Sequence, residues 1–220
     1  MINAEAYSEI TTAITGKAKL VAVSKTKPAT DIQALYDLGQ RDFGENYVQE
    51  LEEKYRLLPG DINWHFIGHL QSNKVKYIAP FVHLIHGVDS LSLLKEINKQ
   101  ALKQNRTVDC LLQVYIATEE TKFGLDETEL KDLLTGTEIL QLQNIRIKGF
   151  MGMASFSDNI KIVQEEFIRL NRLFLAYKSI GNNDFEILSM GMSGDYQTAI
   201  ECGSNLVRIG SLLFGERDSK

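Results

Sequence analysis

The chain has little cysteine, little proline, no long apolar run and no excess of basic residues. Each shortage excludes something. Two cysteines, Cys110 and Cys202, stand far apart in 220 residues and form no metal-type spacing. A disulfide scaffold is excluded, and Cys110, set between Val108 and Leu111, reads as a buried reduced thiol of a cytoplasmic protein. Three prolines, at 28, 59 and 80, leave long stretches free for regular structure. No run approaches the roughly 18 apolar residues of a membrane span. The opening stretch MINAEAYSEITTAI carries Glu5 and Glu9 and has no apolar core, so it reads as neither a signal nor a transit peptide. A formal net charge of −5 argues against a nucleic-acid partner, which needs a basic stripe.

What is present is alternation. Short runs rich in Val, Ile, Leu and Phe recur at 20–24, 41–44, 63–67, 82–87, 107–116, 145–150, 185–189 and 206–209. Such runs predict strands covered on both faces. Amphipathic segments lie between them, at 30–39, 46–58, 90–105 and 158–181, with weaker ones at 71–79, 126–135 and 194–203; another, at 3–15, precedes the first strand. Strand then helix, eight times over, predicts a parallel sheet closed as a single (β/α)8 TIM barrel spanning residues 1–220 as one domain. The rival, an open doubly wound sheet, expects a glycine-rich turn after the first strand. The stretch there is SKTKP, which has no glycine.

In such barrels chemistry sits where strands end and βα loops begin. The seventh strand leaves through SMGMSGDY and the eighth through VRIGS. Ser193 and Gly194 open a helix, and Gly210 with Ser211 lets backbone N–H groups approach a ligand; the two loops together read as a phosphate seat. The plainer alternative is that Ser193 and Asp195 cap a helix and Gly210 makes a turn. At the end of strand one, alternation puts Val23 and Lys25 on one face and Ala22 and Ser24 on the other. Lys27 shares the parity of Lys25 but lies past the strand beside Pro28, so Lys25 is the inward candidate. A desolvated lysine has a depressed pKa and can attack an aldehyde to give a Schiff base. A phosphate seat facing an amine suits an aldehyde-bearing phosphate, and pyridoxal 5′-phosphate (PLP) fits both halves. Arg208, inside an apolar strand, needs a partner. The ring nitrogen of the cofactor is one, and an ion pair with Glu201 or Glu216 is the other. His65, His69 and His86 lie near strand ends, but their spacing fits no metal motif, so no metal is expected.

AVSKTKP, RDFGENYVQE, WHFIGHLQSNK, KFGL, IKGFMGMA and SMGMSGDYQTAIECGSNLVRIGSLLFG together resemble the pyridoxal phosphate homeostasis proteins, small PLP-binding barrels similar to the barrel domain of alanine racemases. The resemblance runs through nearly the whole chain. It implies a Schiff base on Lys25, phosphate contacts from Ser193 and the Gly210–Ser211 backbone, Arg208 at the ring nitrogen, and Asn46 in the pocket. It also implies Asn where Tyr115 stands, which is a departure. Alanine racemases add a C-terminal β domain, and a chain ending at Lys220 is expected to lack it. The function implied is custody of PLP in vitamin B6 homeostasis, without efficient catalysis. PLP, and the apo-enzymes that use it, are the implied partners. Nothing in the residues requires a dimer, so a monomer is expected. The rivals are a single-domain amino-acid racemase and a sugar-phosphate enzyme without PLP.

Overall fold

The computed structural model describes residues 2–117, 123–178 and 184–215. Helix α1 (Ala4–Ile14) leads into β1 (Lys19–Val23), and the alternation then runs α2 (Ala29–Asp37), β2 (Asp42–Glu45), α3 (Val48–Leu57), β3 (Asn63–Phe66), α4 (Val75–Ile78) and β4 (Leu84–Val88). It continues with α5 (Leu91–Lys103), β5 (Val108–Gln113), α6 (Glu127–Thr135), β6 (Ile145–Met151), α7 (Ile160–Lys178), β7 (Ile187–Ser189), α8 (Tyr196–Glu201), β8 (Leu206–Ile209) and α9 (Ser211–Phe214). The eight strands pair in sequence order, and β8 closes on β1, all parallel. The predicted barrel is the observed one.

Local chemistry sets the helix ends. Asn3 caps α1 by accepting the Ala6 N–H at 3.0 Å, and Asp126 opens α6 in a full capping box with Glu129. Gly39, just beyond α2, has φ +105°, a conformation glycine adopts at no steric cost.

Three differences from the sequence reading have local causes. The expected helix at 71–79 is a 3-10 turn, Ser72–Lys74, followed by the single turn of α4 before Pro80. Strand β5 stops at Gln113, not 116, because Leu125 folds back beside Val114. Its N–H donates to the Gln113 carbonyl at 2.8 Å, and its carbonyl accepts the Tyr115 N–H at 2.9 Å. The unforeseen α9 is tied to the start of the chain by Asn3 N–H donating to the Leu213 carbonyl at 2.8 Å.

Strand alternation sorts side chains into two regions. Phe43, Trp64, Phe66, Ile85, Leu112, Phe150, Leu188 and Val207 face the helices, where they pack with Ile32, Leu35, Leu94, Ile97, Phe167 and Leu170. Val21, Leu84, Leu111, Met151 and Leu206 form a separate cluster inside the barrel. Along α7 the buried stripe is Val163, Glu166, Phe167, Leu170 and Phe174. Ile162 and Tyr177, on the same helix, are only half-buried. No helix among the described residues is long and apolar enough to cross a membrane.

Candidate functional site

Lys25 sits in a turn two residues beyond the end of β1. Ser24 O accepts the Lys27 N–H at 3.0 Å, and Thr26, the second central residue, has φ +64°. A threonine is strained there, and the surroundings hold it. Glu50 Oε1 accepts the Thr26 N–H at 2.6 Å, and the Lys54 ammonium donates to Ser24 O at 2.8 Å. The same ammonium donates to Glu45 Oε1 at 2.7 Å and Glu50 Oε1 at 2.6 Å, while the Ser24 hydroxyl donates to Glu45 Oε1 at 2.6 Å. The turn is therefore clamped from the helix side. Val21 packs inside the barrel and Ser24 points to the helix layer, so the parity that carries Lys25 runs inward. Lys25 and Lys27 are both half-buried.

Burial outweighs the Lys54 charge and the hydrogen bonds from Lys54 and Ser24, and lifts the Glu45 carboxyl to about 7. Its second oxygen, Oε2, is buried with no partner among the described residues. Sequence reasoning missed Lys54. A signal was present: Lys54 falls on the buried stripe of α3 with Val48 and Leu51, a position that calls for an apolar residue.

Asn46 follows β2. Its Oδ1 is also buried without a partner among the described residues. The backbone of Gly68 in the next loop presses on it: a Cβ there would meet Asn46 O at 2.5 Å and Asn46 Cα at 2.9 Å. Asn46 is thus fixed with an unmet acceptor.

Across the mouth, the loops after β7 and β8 meet. Ser193 Oγ accepts the Gly210 N–H at 3.3 Å. A Cβ on Gly210 would stand 3.2 Å from Val23 O, so β8 ends tight against the end of β1, two residues before Lys25. Asp195 does not cap α8; its Oδ1 accepts the Met192 N–H at 2.6 Å, stiffening the loop instead. Ser211 is exposed at the start of α9.

Arg208 lies inside the barrel, 4% exposed. Its Nη1 donates to Ser189 Oγ at 2.5 Å and its Nη2 to the Gly152 carbonyl at 3.1 Å. Among the described residues no carboxylate lies within ion-pair distance of it; Glu216 falls outside them. Burial lowers its pKa to about 10, with Asp195 working the other way, so it stays protonated at neutral pH. Ser189 was read only as a strand end, and its role as the Arg208 partner carries no sequence signal.

The histidines do not form a trio. His65 bonds His86, whereas His69 is exposed, faces Asp89 at 3.6 Å and stacks on Phe123 with ring centroids 5.4 Å apart. Tyr115 is half-buried beyond β5, and residues 119–122 of the neighbouring EETKFG stretch lie outside the described residues.

Comparison with known proteins agrees with this geometry. The family model "Alanine racemase, N-terminal domain" matches residues 4–218. A pyridoxal phosphate homeostasis protein of Aquifex aeolicus is 44% identical over 201 residues, covering 91% of this chain and 87% of the relative. One from Synechocystis is 38% identical over 219 residues, covering 99% and 100%. The structure of PipY from Synechococcus elongatus with PLP bound superposes with a TM-score of 0.87 at 33% identity, over 96% of this chain and 99% of that one. Alanine racemase from Bartonella henselae shares the fold at 19% identity and a TM-score of 0.72, covering 99% of this chain and 62% of that one. The chain belongs to the pyridoxal phosphate homeostasis protein family, built on the alanine racemase N-terminal barrel.

Proposed function

We propose that this protein binds PLP at the C-terminal mouth of its barrel and takes part in PLP homeostasis, holding the cofactor through Lys25 and releasing it rather than turning over substrate. One observation carries the reading. A buried guanidinium whose partners among the described residues are all neutral, and a buried amide oxygen unmet among them, Arg208 and Asn46, flank a mouth that also bears Lys25 and the Ser193–Gly210 contact. That donor and acceptor set fits a polar ring with a phosphate and an aldehyde. The homeostasis relatives and PLP-bound PipY support it.

Bound PLP supplies an aldehyde carbon that an amine can attack. Lys25 Nζ is the amine that would hold the cofactor by its aldehyde. The turn clamped by Lys54 and Glu50 sets where the amine stands. The Ser193 hydroxyl proton and the Ser211 N–H would hold the phosphate, while the Gly210 N–H, donating to Ser193 Oγ, orients that hydroxyl. Asn46 offers its unmet Oδ1 to the pocket. Arg208, staying protonated itself, would donate to the ring nitrogen and leave it unprotonated. A ring so held would be a weaker electron sink than one paired with a carboxylate, which suits retention over catalysis.

Purified protein titrated with PLP is expected to gain a visible absorbance band that Lys25→Ala abolishes. A band that survives in Lys25→Ala would overturn the assignment. The racemase fold motivates a second reading, a single-domain amino-acid racemase. Deuterium incorporation into a panel of amino acids, scaling with protein and lost in Lys25→Ala, would favour it. PLP that binds nowhere while sugar phosphates do would favour a cofactor-free barrel enzyme. Delivery to apo-enzymes, a monomeric state and a cytoplasmic location belong to the proposal, and mixing the loaded protein with a PLP-requiring apo-enzyme tests the first.

A further inference from the structure

The inside of the barrel carries more than an apolar plug. From Arg208 a line of polar side chains crosses the interior to the opposite mouth. Ser189 Oγ lies 3.3 Å from His86 Nδ1, His86 Nε2 lies 2.9 Å from His65 Nδ1, and His65 Nε2 lies 3.0 Å from Asp42 Oδ1. His86 and Ser189 are fully buried, and His65 is 2% exposed. These residues come from β2, β3, β4, β7 and β8. Asp42 and His65 border a cavity of about 450 Å³ at the N-terminal mouth, which Lys19, His83 and Glu186 also line.

The two ends of this line fix its direction. Arg208 has only donors, so Ser189 Oγ accepts from it, and the serine proton is free to go to His86 Nδ1. His86 then carries its proton on Nε2 and donates to His65 Nδ1, and His65 carries its proton on Nε2 and donates to Asp42. Every member is satisfied. With one proton on each ring, the reverse order would set a bare His65 Nε2 against the Asp42 carboxylate, two acceptors 3.0 Å apart.

Charge agrees with geometry. Burial, reinforced by the Arg208 charge, holds His86 well below the ordinary histidine range, so it stays neutral. Burial works against the Asp42 carboxylate, but the His65 hydrogen bond, with Lys19 nearby, holds it below the ordinary range, so it stays ionised. Asp42, His65 and His83 also gather candidate ligand atoms within 4.8 Å of one another. A metal is not needed there, because the His65–Asp42 bond satisfies both groups and the charge of Lys19 reaches Asp42 and His83.

We propose that Asp42, His65, His86 and Ser189 form a one-way hydrogen-bond relay that positions the Arg208 guanidinium for the cofactor ring and supplies its counter-charge from the far mouth of the barrel. The proposal rests on the PLP reading above, with Ser189 and His86 as positioning residues. A carboxylate placed directly on Arg208 would compete for the donors that face the ring. The relay engages one N–H through Ser189 and delivers a negative end through neutral groups, whose aligned dipoles reinforce one another. The guanidinium keeps further donors for the ring, since among the described residues only Nη1 to Ser189 and Nη2 to Gly152 are engaged.

Two measurements test it. In apo protein with 15N-labelled histidine, side-chain NMR is expected to show His86 as the neutral Nε2–H tautomer at neutral pH and a proton on His65 Nε2. An Nδ1–H or protonated His86 would overturn the relay, and this arm needs neither variant nor cofactor. In PLP titrations, Ser189→Ala is expected to raise the Kd about tenfold, the scale of one lost hydrogen bond to a charged group. Asp42→Ala, at the other mouth, is expected to shift the bound PLP band. His86→Asn, which keeps an acceptor for the Ser189 hydroxyl, is expected to bind PLP more tightly than His86→Leu. Thermal melts of the apo variants confirm that each is folded. Folded Ser189→Ala and Asp42→Ala proteins with unchanged affinity and spectrum would overturn the proposal. Wild-type protein that binds no PLP would instead sink the cofactor reading while the histidine tautomers still report on the relay.

Discussion

The layer between strands and helices and the space inside the barrel are built on different physics. The outer layer is almost wholly apolar: Phe43, Trp64, Phe66, Leu94, Phe167 and Leu170 are buried there and hold the helices by removing area from water. The interior mixes one small apolar cluster, Val21, Leu84, Leu111, Met151 and Leu206, with Arg208, Ser189, His86 and His65. Hydrogen bonds, not volume alone, specify those polar positions. Stability resides mainly outside and chemistry inside, with the Lys25 turn on the border between them, clamped by a buried polar patch that interrupts the outer layer.

Substitutions can break or sharpen that contrast. The largest effects come from the outer side. Phe167→Ala is expected to lower unfolding free energy by about 3–5 kcal/mol in urea titrations and to leave PLP affinity unchanged. Lys54→Met is expected to cost about 1–3 kcal/mol, because Ser24 O, Glu45 and Glu50 lose the donor they share. Unlike Phe167→Ala, it should also weaken PLP binding by loosening the turn of Lys25. Equal PLP affinity in the two variants would erase the distinction between packing and clamp.

An interior change comes next. Arg208→Ala is expected to weaken PLP binding about tenfold or more, since hydrogen bonds to charged groups contribute roughly 1.5–3 kcal/mol, with little change in the thermal melt of the apo protein. Unchanged affinity and spectrum would assign Arg208 to structure alone. The smallest effect is a pH trend. The folded Glu45 carboxyl titrates near 7, above its ordinary 4.5, so its protonated form favours the folded state. That contribution is complete below about 4.5 and is lost as pH rises through about 7. Between pH 6 and 8 the loss is about 1 kcal/mol, and Glu45→Gln should flatten it in urea titrations across that range. Identical pH slopes for the two proteins would contradict the assignment.

How much of this was legible in the sequence follows the same division. Eight strands could be placed because buried parallel strands read as apolar runs, and the β6 and β8 runs, 145–150 and 206–209, fell within a residue of Ile145–Met151 and Leu206–Ile209. Helix α4 was overdrawn because nothing in QSNKVKYIA marks a 3-10 turn, and α9 was missed because four residues carry no period. Inside the barrel the sequence showed which residue types stood at strand ends but not which met. Lys25 stood out by parity and Arg208 by its apolar surroundings. Ser189, His86 and Asp42 did not, since a relay built from five strands leaves no local spacing to read. Lys54 was masked by the amphipathic pattern of α3, which tolerates lysine everywhere except where this one lies.

The most direct test of the central claim is borohydride reduction of the PLP-loaded protein, followed by proteolysis and mass mapping of the fixed cofactor. The account predicts one modified residue, Lys25. A cofactor fixed on Lys27 or Lys74, or no covalent adduct from protein that holds PLP, would contradict it.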